Sequence, residues 1–410
     1  MDTEVQAQAA AHQHLDSPRA WVMAAAAFVT CFVVFGVVYS FGAFFKPVGA
    51  EFGATRADTS ELFSITAAIY SLLGLATGAL ADRYGPRPVV LAGAIAMGAG
   101  LLATAAISHL WAGYISYGLG VGVGVACAYV PMLALVGGWF SRRRNLALGI
   151  AVSGIGAGTL VFAPLAAKLI EQFGWREAYM ILGAASLVLL GGCALIVAPP
   201  PVSAIGAPRR IKHLARSPEF VRLYIACLLS SVTIYIPFVY LPDFAQSRGV
   251  GPVLAAGLVG ILGASSVAGR LSFGAIADRI GIVAFYKGSL FALAMSYAIW
   301  PIAHSYPMLL LFAIVMGAAY GGLVSLTPAV VAELFGVEGL GAVLGALYTS
   351  SALSALAGPP LAGVAIDRSG SYLGAAAVAG ITGLGGFIAL LALQPATATP
   401  AVMKTLAGTE

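Results

Sequence analysis

Gly78-Ala-Leu-Ala-Asp82-Arg83-Tyr-Gly85 and Gly274-Ala-Ile-Ala-Asp278-Arg279-Ile-Gly281 are two copies of one motif, 196 residues apart. Each closes an apolar stretch and opens a charged turn. The same offset pairs Tyr39 with Tyr235, Gly53 with Gly249, Gly149 with Gly345, Pro164 with Pro360 and Gly174 with Gly370, while Pro131 meets Pro328 with one residue of slippage. Equal spacing held over four helix pairs marks an internal duplication, and the two halves are expected to share one fold.

The apolar stretches between these landmarks say which fold. Hydrophobic residues make up 60% of the chain and charged ones only 9%, where a soluble domain carries about 25% charged residues. Apolar runs fall near Trp21–Phe45, Leu62–Ala81, Pro88–Ser108, Leu110–Gly138, Leu146–Ile170, Ala178–Val197, Val221–Leu241, Leu254–Ala277, Val283–Ala303, Met308–Ala332, Leu340–Ile366 and Leu373–Leu393. Each runs to about 20 residues or more, enough to cross a bilayer as a helix with its backbone satisfied internally. The expected fold is an all-α integral membrane protein of twelve transmembrane helices in two pseudo-symmetric six-helix bundles. Six helices per half is even, so the repeats are parallel and their axis lies along the membrane normal. Expected boundaries are a tail at 1–18, a first bundle at 19–197, a linker at 198–218 carrying Pro199-Pro-Pro201 and a basic run, a second bundle at 219–395 and a tail at 396–410.

Charge gives sidedness. Of the 21 Lys and Arg, 14 fall on one side of the twelve runs and 6 on the other, with Arg270 inside a run. The richer side is expected to be cytoplasmic, with both termini on it. The net charge of +5 follows from this bias and implies no nucleic-acid partner, and the basic central segment can touch anionic membrane lipid. Residues 1–17 are polar and acidic at the start, so no cleavable signal is expected. Cys31, Cys127, Cys193 and Cys227 sit within or at the start of helices, which indicates packing rather than a disulfide framework or a metal site. Gly118-Leu-Gly-Val-Gly-Val-Gly124 lacks the strand-turn-helix setting of a dinucleotide loop; with Gly154, Gly156 and Gly158 it reads as close helix packing. No cofactor and no catalytic constellation are expected.

One ionisable residue lies deep in an apolar run. Arg270 is eight residues before Asp278, about 12 Å from the helix end and near the middle of a roughly 30 Å hydrocarbon core. A guanidinium there costs roughly 2.5–3.5 kcal/mol on insertion scales and needs an aqueous cavity or a partner. Ser266 and Gly274, one turn either side, supply no acid, and the repeat counterpart is Gly74. A cation present in one half only is expected to bind an anion, and its planar fork suits a carboxylate.

The turn Gly78-Ala-Leu-Ala-Asp-Arg-Tyr-Gly-Pro-Arg-Pro-Val89 resembles the loop between the second and third helices of the major facilitator superfamily, and the likeness spans essentially all twelve helices. Tyr39-Ser-Phe-Gly-Ala-Phe-Phe-Lys-Pro47, Gly118-Leu-Gly120 to Pro131, and Trp139-Phe-Ser-Arg-Arg-Arg-Asn-Leu-Ala-Leu-Gly149-Ile-Ala-Val-Ser153-Gly154 resemble the monocarboxylate transporter family and its bacterial relatives, including oxalate/formate exchangers. The resemblance implies a secondary transporter of small monocarboxylates, lactate- or pyruvate-like, with proton symport, working by alternating access as a monomer in the plasma membrane, the inner membrane in a bacterium. In that family an arginine of the eighth helix pairs with the substrate carboxylate, and Arg270 occupies its position. Asp82, Arg83 and Arg87, with the second copy at Asp278 and Arg279, are expected to latch the halves in one state.

The chain departs from the family in two ways. Proton-coupled animal members carry an acid one turn before that arginine and a lysine in the first helix, whereas here Ser266 replaces the acid and Phe28–Phe45 holds no lysine. Asp243, Asp58 and Glu61 at the outer mouth are the remaining candidates for proton coupling. Oxalate exchangers add a cation in the eleventh helix; Leu340–Ile366 has none, so one carboxylate fits better than two. The pocket is expected to be completed by Tyr39 and Tyr235, with Tyr129, Tyr320 and Tyr348 as further candidates, because a phenol joins apolar contact to a hydrogen bond. Anion exchange, or a carboxylate receptor that does not transport, are the alternatives.

Overall fold

In the computed structural model the described residues are 15–201, 216–336 and 340–393, less the side chains of 75, 273–278 and 340–342. Most of the expected linker and the C-terminal tail lie outside them. The helices are α1 (Pro18–Phe52), α2 (Arg56–Tyr84), α3 (Pro86–Ala105), α4 (Leu110–Trp139), α5 (Arg144–Phe173), α6 (Trp175–Ile196), α7 (Pro218–Ser247), α8 (Pro252–Ile280), α9 (Ile282–Ile302), α10 (Tyr306–Phe335), α11 (Leu340–Ser369) and α12 (Leu373–Leu391). Eleven pass as membrane spans by length and apolarity, and α2, bent by 49° between Gly74 and Ala76, makes twelve. Among the described residues there is no strand.

The duplication is written into the backbone. Gly53 and Gly249, Gly85 and Gly281, and Gly174 and Gly370 are pairs at the repeat offset, and all six residues have positive φ, from 57° to 99°. Each sits in the tight link between two spans, a left-handed position that a Cβ would strain. Pro86 follows its glycine as the first residue of α3, where its missing N–H costs nothing. Ser17, Thr55 and Ser217 accept from backbone N–H groups at the starts of α1, α2 and α7.

Without a hydrophobic driving force between helices in lipid, small residues decide where backbones meet. A Cβ on Gly154 or Gly158 of α5 would stand 2.3 or 2.1 Å from the Phe28 or Phe32 carbonyl oxygen of α1, and one on Gly156 would stand 2.4 Å from the Gly263 carbonyl of α8. One face of α5 thus packs within its own half and another crosses to the second. The Gly118–Gly124 run lies inside α4, its first part π-helical, with Gly120 against Gly100 and Gly124 against Gly93. All four cysteines are free and buried.

The halves meet along α2 with α11 and α5 with α8. At the basic end, which bears Arg83, Arg87 and Arg142–Arg144, Asp16 has φ 56° and accepts from the backbone N–H groups of Ser141, Arg142 and Arg143 at 3.3, 3.0 and 3.2 Å. Burial pushes its carboxyl up, but these three donors outweigh that and hold it below the usual aspartate range.

Candidate functional site

Arg270 projects from α8, and Nε, NH1 and NH2 are all buried with no hydrogen-bond partner. Its guanidinium lies 5.7 Å from the centroid of the Tyr320 ring on α10, a cation–π contact that offsets part of the burial cost. Cys31 of α1, Tyr129 of α4 and Tyr348 of α11 lie close enough to feel its charge. The residue one turn earlier, Ser266, is 1% exposed and carries no charge. Among the described residues, therefore, no acceptor meets these three buried donors, an arrangement that is costly unless an acceptor is supplied.

The two halves supply the walls. Phe35 of α1 packs edge-on to Tyr129 at 4.9 Å and to Tyr70 at 5.9 Å. Tyr348 is 45% exposed although it stands well inside α11. Tyr129, Tyr320 and Tyr348 are therefore the tyrosines gathered at Arg270. Tyr39, the last residue before α1 breaks at Ser40, stacks on Phe238 with centroids 4.0 Å apart, and Tyr235 packs edge-on to Phe63 at 5.9 Å. These pairs bridge the halves as an aromatic plug. The hydroxyls of Tyr39, Tyr70, Tyr235 and Tyr320 interact with one another, which joins plug to cavity.

Beyond the plug, at the end opposite the basic loops, charges close the molecule. Arg56, the first residue of α2, gives its backbone N–H to Asp367 Oδ2 (3.0 Å) and NH1 to Asp367 Oδ1 (3.3 Å), and its Nε lies 3.5 Å from Asp243 Oδ2. Tyr372 donates to Asp243 and lies beneath the Arg56 guanidinium. Burial and the Asp243 carboxylate push the Tyr372 phenol up, so it keeps its proton and remains a donor. Tyr240 donates to the carbonyls of Pro359 (2.8 Å) and Arg56 (3.3 Å). One arginine of the first half is held by two aspartates and two tyrosines of the second. Arg56, Asp367, Tyr372 and Tyr240 are absent from the residues singled out by sequence, because their partners lie up to 311 positions away.

The expected proton-coupling acids separate. Asp243 is 6% exposed and lies in this network. Asp58 serves its own helix, exchanging bonds with Thr55 (Thr55 Oγ1 to Asp58 Oδ2 2.6 Å, Asp58 N to Thr55 Oγ1 3.1 Å). Glu61 is half-buried on the next turn. At the basic end Asp82, Arg83, Arg87 and Arg279 are exposed, Arg83 lies over the ring of its neighbour Tyr84 at 5.2 Å, and the side chain of Asp278, part of the expected latch, lies outside the described residues. Among the described residues every ion pair between the halves sits at the opposite end. These pairs tie the two halves together at that end.

Among the described residues, a duplicated bundle of membrane-spanning helices thus holds the buried, unpartnered Arg270 guanidinium within it. The profile of the Major Facilitator Superfamily matches residues 26–301 and 274–408. Monocarboxylate transporter 13 of Rattus norvegicus is 33% identical over 379 residues, covering 91% of this chain and 88% of the relative. Monocarboxylate transporter 12 of Homo sapiens is 30% identical over 402 residues, covering 88% and 78%. The chain belongs to the major facilitator superfamily and, within it, to the family of the monocarboxylate transporters; it is a transporter, not an enzyme. A bacterial homologue of the human lysosomal transporter Spinster, in an inward-facing and unoccupied conformation, shares the fold with a TM-score of 0.69 at 14% identity, over 92% of this chain and 95% of its own.

Proposed function

We propose that this protein is a secondary active transporter of small monocarboxylates, lactate- or pyruvate-like, that carries a proton with its substrate by alternating access. The observation that carries the reading is the Arg270 guanidinium, buried with three unpartnered nitrogens. A carboxylate entering between the halves supplies the missing acceptors in a bidentate pair, and Tyr129, Tyr320 and Tyr348 enclose the rest of the molecule. One cation suits one carboxylate. Alternating access then follows if the substrate binds more tightly while both sets of walls are near it, lowering the cost of rocking one half against the other.

The charge bias makes the basic end cytoplasmic, with both termini there, and the Arg56 network external. In this reading the structure is open inward. Asp243 is the proton-coupling group: protonation removes its attraction for Arg56 and frees the external end to open. Among the described residues no acid stands beside Arg270, and this favours one second reading, exchange of one organic anion for another without a proton. Uptake of labelled lactate into proteoliposomes tests both. Wild type should accumulate lactate when the outside is acidic, and Arg270→Gln should not. Accumulation by Arg270→Gln at the wild-type rate contradicts the carboxylate role, and uptake that needs internal substrate but ignores the pH gradient selects exchange.

A further inference from the structure

A cavity of about 80 Å³ opens inside the second half, between α7, α9, α10 and α11, and its lining is rich in hydroxyls: Ser231, Tyr286, Thr327, Tyr348 and Ser351, with the Cys227 thiol. Among the described residues no Asp, Glu, Lys, Arg or His lines it. Leu323, Val324 and Thr327 of its lining follow Tyr320 within two turns of α10, and the Tyr320 ring lies 5.7 Å from the Arg270 guanidinium, so the cavity adjoins the carboxylate site. We infer that this cavity is the second part of the ligand site and takes a neutral hydroxyl borne at the far end of a monocarboxylate. The inference rests on the carboxylate reading of Arg270.

The protons in the cavity can be followed atom by atom. Thr327 Oγ1 donates to the Leu323 carbonyl at 2.8 Å, so in its 3.3 Å contact with Tyr286 the phenol is the donor. The Tyr286 oxygen keeps its lone pairs, approached only by the Cys227 thiol at 3.7 Å. Ser230 spends its proton on the Cys227 carbonyl at 3.2 Å. Ser231 and Ser351 stand 3.1 Å apart and share one proton, which leaves one hydroxyl proton undirected. With the Tyr348 hydroxyl, the cavity thus offers several acceptors and two undirected donors. A ligand hydroxyl both gives and takes; a carbonyl only takes, and a methyl does neither.

Size agrees. A water claims about 30 Å³ of liquid volume, so the space suits two or three heavy-atom groups. Cys227, Ser231, Tyr286 and Thr327 are each at most 9% exposed, so a polar group placed there meets fixed partners. The substrate class is an aliphatic hydroxy acid whose hydroxyl is remote from the carboxylate, laid past Tyr348 with its charge on Arg270.

The test uses the purified full chain and reads ligand-induced melting shifts, from which Kd follows by linkage. The probes are butyrate, 4-hydroxybutyrate and 4-oxobutyrate. The inference expects 4-hydroxybutyrate to bind about tenfold tighter than butyrate, the value of one well-placed hydrogen bond, and tighter than 4-oxobutyrate. In the double variant Ser231→Ala/Ser351→Ala that ratio should fall to within about twofold. Equal binding of all three acids by wild type, with loss in Arg270→Ala, overturns the hydroxyl subsite and leaves the carboxylate site standing. A preference that survives in the double variant also overturns the subsite. Failure of every acid to bind wild type overturns both. Should the double variant not fold, the wild-type order of the three acids decides.

Discussion

Arg56 and Asp367, one from each half, are joined twice: the backbone N–H of Arg56 gives 3.0 Å to one carboxylate oxygen and its guanidinium 3.3 Å to the other. Because the first bond uses the helix backbone, the carboxylate also caps the start of α2, where the dipole favours a negative charge. Closing this end therefore adds a second acceptor at the start of α2 beside the Thr55 cap, and opening it removes that acceptor.

Removing this contact should favour the externally open state. Arg56 is 40% exposed, so each of its ion pairs is worth only about 0.2–1 kcal/mol. Arg56→Gln should raise the externally open population roughly two- to tenfold. Spin labels at Glu177→Cys and Ser247→Cys, both exposed at that end, report the distance. An unchanged distance distribution contradicts a latch.

Asp243→Asn should copy the protonated state of that acid. Lactate uptake by the variant should lose most of its response to an imposed proton gradient, while exchange of internal for external lactate persists. A wild-type pH profile in Asp243→Asn excludes this residue from coupling.

The α5–α8 contact should tolerate no added carbon. A Cβ on Gly156 would lie 2.3 Å from Val267 Cγ2 and 2.4 Å from the Gly263 carbonyl oxygen, which is rigid backbone. Gly156→Ala should destabilise the protein by about 1–3 kcal/mol and slow transport. A melting temperature equal to wild type would show that the helices separate freely here.

Asp16 should give stability with a defined pH signature. Its folded pKa is depressed, so its contribution is complete above the unfolded value near 3.9 and is lost as pH falls through the folded value. The melting temperature of Asp16→Asn should lie below wild type at pH 7, and the gap should close as the pH drops below about 4. A gap that stays constant down to about pH 3 would mean that the carboxylate charge plays no part.

The fold was legible because its two decisive signals are local. Twelve apolar runs need no partner to be recognised, and Gly53, Gly85 and Gly174 recur at one offset because each span-to-span link needs a left-handed residue. Arg270 was legible for the same reason, as a charge inside an apolar run. The network around Arg56 was not. On its own that residue is one more cation after a helix cap, and only the tertiary fold brings Asp243, Asp367 and Tyr372 to it. The tyrosines show the limit of repeat symmetry: Tyr39 and Tyr235 are related by it and fill the plug, whereas the three around Arg270 come from α4, α10 and α11, and symmetry does not select them.

The central claim is that Arg270 awaits a carboxylate. Titrating the purified wild type with lactate and with lactamide, its neutral analogue of nearly the same shape, tests it most directly by calorimetry. Lactate should bind at least about 100-fold more tightly than lactamide, as two charge-assisted hydrogen bonds require, and Arg270→Gln should erase the difference. Equal affinities for lactate and lactamide, or lactate binding unchanged in Arg270→Gln, would contradict the account.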